Sequence, residues 1–269
     1  MSLRIQNNVE AFNAQRMLVG NSDKLSKSME KLSSGYRINR AGDDAAGLAI
    51  SEKLRGQING LAQASRNAGD AISMTQTAEG ALNEVHSMLQ RVRELAVQYK
   101  NGTLGTNDRT AIQSEVNQLS SEIERIGSET EFNGIKLLNS TGNITFQVGA
   151  GDGQQITVAT VSLGATVTSG VFTMTASTTG TDISAIDTAI NNVSAARATF
   201  GSVQNRLEHS ISNLASYQEN LTASESRIRD ADMAQEMVKF TKYQILQQAG
   251  TSMLSQANQA PQSVLSLLR

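Results

Sequence analysis

Cysteine and tryptophan are absent, histidine occurs twice, and proline occurs once, at Pro261. Without cysteine the chain holds no disulfide and no thiolate–metal framework. With no proline ahead of position 261, very long helices are open to it, since proline is the residue that breaks helix interiors. Aromatic residues make up 4% of the chain, and His86 and His209 are far apart, so the aromatic and histidine content that enzyme pockets recruit is missing. A formal charge of −2 leaves no basic excess to draw nucleic acid or an anionic membrane. No apolar run approaches the length of a membrane span. The opening MSLRIQNNVEAFNAQRML lacks the apolar core of a signal peptide, which predicts a protein that is cytosolic or leaves the cell by a route that reads no such signal.

What is present is periodicity. The chain has 269 residues and is 39% hydrophobic, enough for one or two domains with a sizeable core. Ala78, Leu82, Val85, Leu89, Val92, Ala96 and Tyr99 follow one another at alternating spacings of four and three. Ile112, Val116, Leu119, Ile123 and Ile126 repeat the pattern, and Leu54, Ile58 and Leu61 begin it earlier. Ile190, Val193, Phe200, Leu207, Ile211, Leu214 and Leu221 form a further stripe. Such spacing places apolar side chains on one narrow seam of a helix. It predicts helices over 3–33, 44–99, 106–128, 182–227 and 231–268, the second about 80 Å long at about 1.5 Å per residue.

The middle of the chain differs in kind. Residues 140–180 carry one charged side chain, Asp152, among many threonines and glycines. NITFQVGAGDGQQITVATV reads as two strands joined by a glycine-rich turn. The predicted fold class is mainly α: a long antiparallel, coiled-coil-like helical rod with a short β-hairpin region in the middle of the chain.

The stretch SSGYRINRAGDDAAGLAIS, residues 33–51, invites a ligand reading. A phosphate loop needs G-x-x-x-x-G-K-[ST] after a strand, whereas Gly42 is followed by two acidic residues that repel phosphate. The dinucleotide fingerprint is missing, and Asp43 and Asp44 lack the ligand spacing of an EF-hand. A joint between helices fits better: Gly35 stops one helix, Gly42 turns the chain through a positive φ, and Asp43 or Asp44 caps the next helix. His86 and His209 read as ordinary helix residues, and the nine methionines mostly as core fillers. Pro261 falls inside the last apolar stripe (Leu246, Ala249, Met253, Ala257, Ala260, Val264, Leu267) and is expected to kink the helix or start a new one.

MEKLSSGYRINRAGDDAAGLAISEKLRGQI, LQRVRELAVQ, TEFNGIKLLN and ILQQAGTSMLSQANQAPQSVLSLLR resemble the bacterial flagellins, the filament subunits of the flagellum. The resemblance covers residues 1–160 and 183–269 and is weakest from Thr160 to Asp182, where members of that family carry variable outer domains. One small departure is Tyr36, where an aliphatic residue is common. The resemblance implies four segments: an inner layer from 1–42, a rod from 43–182 returning over 183–227, and an inner helix from 228–269. Residues 33–47, with Ser224–Asp232 on the returning chain, become the joint between layers, carried by Gly35, Gly42, Asp43 and Asp44.

It further implies a structural subunit rather than an enzyme, with no cofactor, that polymerises helically with itself. Identical subunits meeting through two different faces make an open filament when the rotation does not close. Val264, Leu265, Leu267 and Leu268 take a C-terminal assembly role. The implied partners are the flagellar export apparatus and a flagellin chaperone, the filament cap and hook-associated proteins, the Toll-like flagellin receptor and a cytosolic inflammasome sensor. The implied location is the extracellular filament, reached by export of the unfolded chain, with ends that order on assembly.

Gln90, Arg91, Leu95 and Glu115 match the family's receptor and subunit interface. Periodicity places Arg91 and Leu95 off the seam and Glu115 beside it, which suits a solvated face equally well. A hook–filament junction protein is the alternative, opposed by the C-terminal run. An intracellular coiled-coil adaptor leaves the uncharged β segment unexplained.

Overall fold

A computed structural model describes residues 8–167, 172, 174 and 181–267, with the backbone alone at 165, 166, 181 and 260–267. The long helices are α1 (Val9–Ser34), α2 (Ala45–Tyr99), α3 (Thr106–Glu129), α5 (Thr181–Arg229) and α6 (Met233–Leu267), with a single turn, α4, at Leu163–Thr166. Between α3 and α4 lie two antiparallel hairpins, β1 (Glu131–Phe132) with β2 (Ile135–Lys136) and β3 (Asn143–Gln147) with β4 (Gln155–Ala159). The mainly helical fold with a β region in mid-chain is as the periodicity predicts.

The first hairpin is an addition to that reading. Asn133 and Gly134 both take positive φ, 51° and 78°, with Phe132 paired to Ile135 across them. Two residues of positive φ match the right-handed twist of the flanking strands, and Asn-Gly is the pair that tolerates them. In β4, Ile156 and Val158 alternate inward while their neighbours stand exposed, the period of a half-buried strand.

The chain divides into two compact units, one of residues 1–56 and 220–269, the other of residues 57–219, with the division falling inside α2 and α5. In the second unit α2 runs antiparallel to both α3 and α5. Arg91 meets Glu115 of α3, and the Arg109 guanidinium lies 5.7 Å from the Tyr99 ring. On the other side Arg93 pairs with Asp187, and Lys100 with Asp182. One core cluster fills the space, from Leu82, Val85, Leu89 and Val92 of α2 through Val116 and Ile123 of α3 to Ile186, Val193 and Leu207 of α5. The β region is tied down by polar side chains. Asn67 donates to the Gln147 carbonyl at 3.0 Å. The Gln113 amide donates to the Phe172 carbonyl and accepts from the Met174 N–H, at 2.8 and 3.1 Å.

In the first unit α1 and α6 lie antiparallel, as three contacts along them show. Asn8 reaches Ala257, the Lys24 ammonium lies 6.0 Å from the Tyr243 ring, and Ser28 donates to Glu236. Helix α6 continues through Pro261 as one helix, so no new helix starts there.

Candidate interaction surfaces

Three surfaces carry the residues singled out from the sequence. On the first, α2 and α3 bring Arg91 and Glu115 together. Arg91 donates through Nε and Nη2 to Oε1 of Glu115, at 3.0 and 2.9 Å, and through Nη1 to Glu94 at 3.1 Å. These hydrogen bonds, chiefly those to Glu115, raise the Arg91 pKa further above its ordinary value, so the charge is permanent. Both partners are about half exposed, at 52% and 46%. The Gln90 amide nitrogen lies 2.9 Å from Nε2 of His86.

Leu95 does not share this surface. It is 2% exposed and belongs to the core. The spacing marked one narrow seam on α2, whereas α2 packs against both α3 and α5. Beside the row Leu82–Val85–Leu89–Val92–Ala96 runs a second row at seven-residue spacing, Met74–Ala81–Met88–Leu95, buried or packed against the same cluster. Val97 of α2 is an exposed apolar side chain, seven residues after Gln90 and so on the same side of the helix as Gln90.

The second surface is the joint. Gly35 ends α1 in the left-handed region, φ 76°, with its N–H on the Lys31 carbonyl at 2.9 Å. Asp44 caps α2, its Oδ1 accepting from the Gly47 N–H at 2.8 Å. Asp43 instead ties the loop together, accepting from the N–H groups of Asn39 and Arg40 at 3.2 and 3.1 Å. Those backbone donors, the Arg40 one foremost, hold its carboxyl below the ordinary aspartate value.

The expectation for Gly42 fails. Its φ is not positive, and a Cβ added there meets open space. Within the joint it is Gly47 that has no room to spare: a Cβ there would collide with the Asp44 carboxylate and lie 2.8 Å from Cδ1 of buried Ile38. On the return, α5 continues to Arg229, so Asp230–Asp232 alone lies outside helix. The two passages pair as a short antiparallel bridge: Arg37 N–H to the Arg229 carbonyl at 2.7 Å, and Ala231 N–H to the Gly35 carbonyl at 2.9 Å. The Arg229 guanidinium sits 4.9 Å from the Tyr36 ring and bonds Glu52 at 2.6 Å, which gives Tyr36 a cation–π partner.

The third surface is the outward face of α1 and α6. Among the described residues, sixteen large apolar side chains stand exposed, and thirteen belong to the first unit, including Phe12, Met17, Val238 and Met253. Its one fully buried apolar side chain among the described residues is Ile38, while those of the second unit run from Leu61 to Leu214. The methionines follow the same division. Met17, Met29, Met233, Met237 and Met253 are exposed, whereas Met74 and Met174 are buried, so most are not core fillers. The burial of Val264, Leu265 and Leu267 lies outside the described residues, as does Leu268 altogether.

Two family descriptions match the chain: the bacterial flagellin N-terminal helical region over residues 5–143, and the bacterial flagellin C-terminal helical region over residues 183–268. The chain belongs to the bacterial flagellins. It is 49% identical to the flagellin of Bacillus subtilis (strain 168), over 99% of this chain and 100% of that one. To the flagellin of Halalkalibacterium halodurans it is 54% identical, over 98% and 99%.

Among solved structures, the Bacillus cereus flagellin crystal structure superposes with a TM-score of 0.52 at 34% identity, over 60% of this chain and 94% of that one. A putative flagellar hook-associated protein from Vibrio parahaemolyticus gives 0.59 at 15% identity, over 70% and 100%, a likeness of fold alone. As a flagellin of minimal size, the chain is a subunit of the flagellar filament, which serves motility. The hook–filament junction alternative is not favoured. Flagellins are structural proteins, and they self-polymerise into an extracellular appendage. The sequence reading of this flagellin missed Gly47, Asn8 and Glu236. Asn8 had a signal, since an asparagine directly before an apolar helical pattern is a helix cap.

Proposed function

We propose that this flagellin joins its neighbours chiefly through α1 and α6, which form the inner layer of the filament, while residues 57–219 form the self-sufficient part of the subunit. One observation carries the reading: among the described residues, the first unit exposes thirteen large apolar side chains and fully buries one. A helix pair that buries so little is marginal in water, and a concentration of exposed apolar surface marks a contact site. The ends therefore gain their order as neighbours cover them. Export of the unfolded chain by a dedicated apparatus, with a chaperone shielding the apolar ends, suits such a subunit. Filament cap and hook-associated proteins are its further partners.

Gln90, Arg91 and Glu115 form the second contact surface, facing neighbouring subunits and, in a host, the Toll-like flagellin receptor; a cytosolic inflammasome sensor is a further host partner. Leu95 supports that surface from inside. The joint around Gly35, Asp43 and Asp44 carries the chain between inner layer and rod, and Val264, Leu265, Leu267 and Leu268 extend the inner contact.

Limited proteolysis of the dilute subunit and of salt-polymerised protein, followed by electron microscopy, tests this. Loss of roughly the first 40 and last 45 residues from the free subunit, with protection of both ends in long tubes, is expected. Equal resistance of the ends in dilute subunit, or failure to form filaments, would refute it.

A further inference from the structure

Helix α6 runs without interruption from Met233 to Leu267, and Pro261 lies inside it. An interior helical residue gives its N–H to the carbonyl four positions earlier. Proline has no N–H to give, so the carbonyl of Ala257 lacks its intrahelical donor. The side-chain amide of Asn8 takes that place, its Nδ2 donating to the Ala257 carbonyl at 2.7 Å. The other end of the same amide is occupied too. Its Oδ1 accepts from the Ala11 N–H at 3.0 Å, which makes Asn8 the N-cap of α1.

Of the side chains favoured at a helix N-cap, asparagine is the one with an acceptor and a donor on separate atoms. Aspartate has no donor, and a serine or threonine hydroxyl has one oxygen for both tasks.

We infer that Asn8 supplies the hydrogen bond that Pro261 removes from α6, and that this bond fixes the register in which α1 and α6 lie side by side. The rest of the pairing does little to fix it. Ser28 is the one fully buried side chain described in α1, and Glu236 the one in α6. They bond each other, and no fully buried apolar side chain lies between them and Asn8. Repetitive helices held by half-exposed apolar contacts can slip by a turn at small cost. The interior carbonyls of α6 have helical donors except where proline withholds one, so Ala257 is a single address on an otherwise repetitive surface. Asn8 is thus a positioning residue, acting at the opposite end of the pairing from Ser28 and Glu236.

Amide hydrogen exchange of the full-length protein in salt-polymerised filaments, where α1 and α6 are ordered, tests this. The inference rests on the assembly reading, and failure to form filaments would sink that reading, whereas filaments whose α1 and α6 protection ignores residue 8 would sink the inference alone. Asn8→Asp keeps the capping acceptor and deletes the donor, and Asn8→Ser, without adding charge, leaves one hydroxyl oxygen where two separate atoms served the Ala11 N–H and the Ala257 carbonyl. Each is expected to lower protection of the α1 and α6 amides about fivefold, equivalent to one hydrogen bond of about 1 kcal/mol. In a Pro261→Ala background, where the helix supplies its own N–H to Ala257, the same substitutions should change protection less than about twofold. Equal losses in both backgrounds would reduce Asn8 to a cap and overturn the inference, as would no loss with proline present.

Discussion

Leu95→Ala separates a core residue from a surface one within a single turn of α2. Leu95 is 2% exposed, so the substitution strips three carbons from a dry site. At about 0.8 kcal/mol per buried carbon, the transfer loss is about 2.4 kcal/mol. Helices on both sides of α2 restrict collapse into the space, and the residual cavity brings the total to about 3–4 kcal/mol, within the range for buried leucines. For a unit of this size each kcal/mol moves the thermal midpoint by about 2–4 °C, so a fall of about 6–16 °C is expected by circular dichroism. Leu95→Met, which conserves volume, should cost less than about 1.5 kcal/mol. Arg91→Ala removes an exposed ion pair of small worth and should move the midpoint by no more than about 2 °C. A Leu95→Ala protein that melts with the parent while losing assembly or receptor activation would refute the burial argument and return Leu95 to the surface.

The joint glycines should differ sharply. Gly35→Val forces a branched side chain to φ 76° and should lower stability by about 1–2 kcal/mol, whereas Gly42→Val, with open space around it, should assemble normally; denaturant melts and a polymerisation assay read both. Glu236 makes the pairing of α1 and α6 sensitive to acid. Burial pushes its carboxyl up, but hydrogen bonds from Ser28 and Lys239 and the nearby Lys31 outweigh that, leaving it below the ordinary 4.5. A carboxyl lowered in the folded state adds stability above its unfolded value that is lost as pH falls through the folded one. Exchange protection of α1 and α6 should therefore drop below about pH 4.5, and Glu236→Gln should flatten that acid limb.

Helix extents were legible from the sequence because three-and-four spacing persists for many turns, and α2 and α3 end within a residue of expectation. The second packing row of α2 was not legible. The four-and-three spacing marks one seam, and the row through Met74, Ala81, Met88 and Leu95 is visible only once α3 and α5 are both against α2. The Asn133-Gly134 hairpin carried a sequence signal strong enough to have been read. Gly42 and Gly47 could not be told apart, since a glycine's need depends on φ and on what a Cβ would strike. Pro261 was opaque because its compensation comes from Asn8, at the far end of the chain. Asp44 as helix cap and Gly35 as helix stop were readable because both act within four residues of themselves.

The uneven placement of methionine has a chemical corollary. Met17, Met29, Met233, Met237 and Met253 expose their thioethers, while Met74 and Met174 keep theirs in the core. Oxidation to the sulfoxide turns a flexible apolar side chain into a polar one. A peroxide meeting the free subunit would thus spend itself on the very faces through which subunits join and leave the folded core intact. Sulfurs covered by a neighbour escape that attack, and because sulfoxides are enzymatically reducible, a subunit so damaged is blocked rather than destroyed.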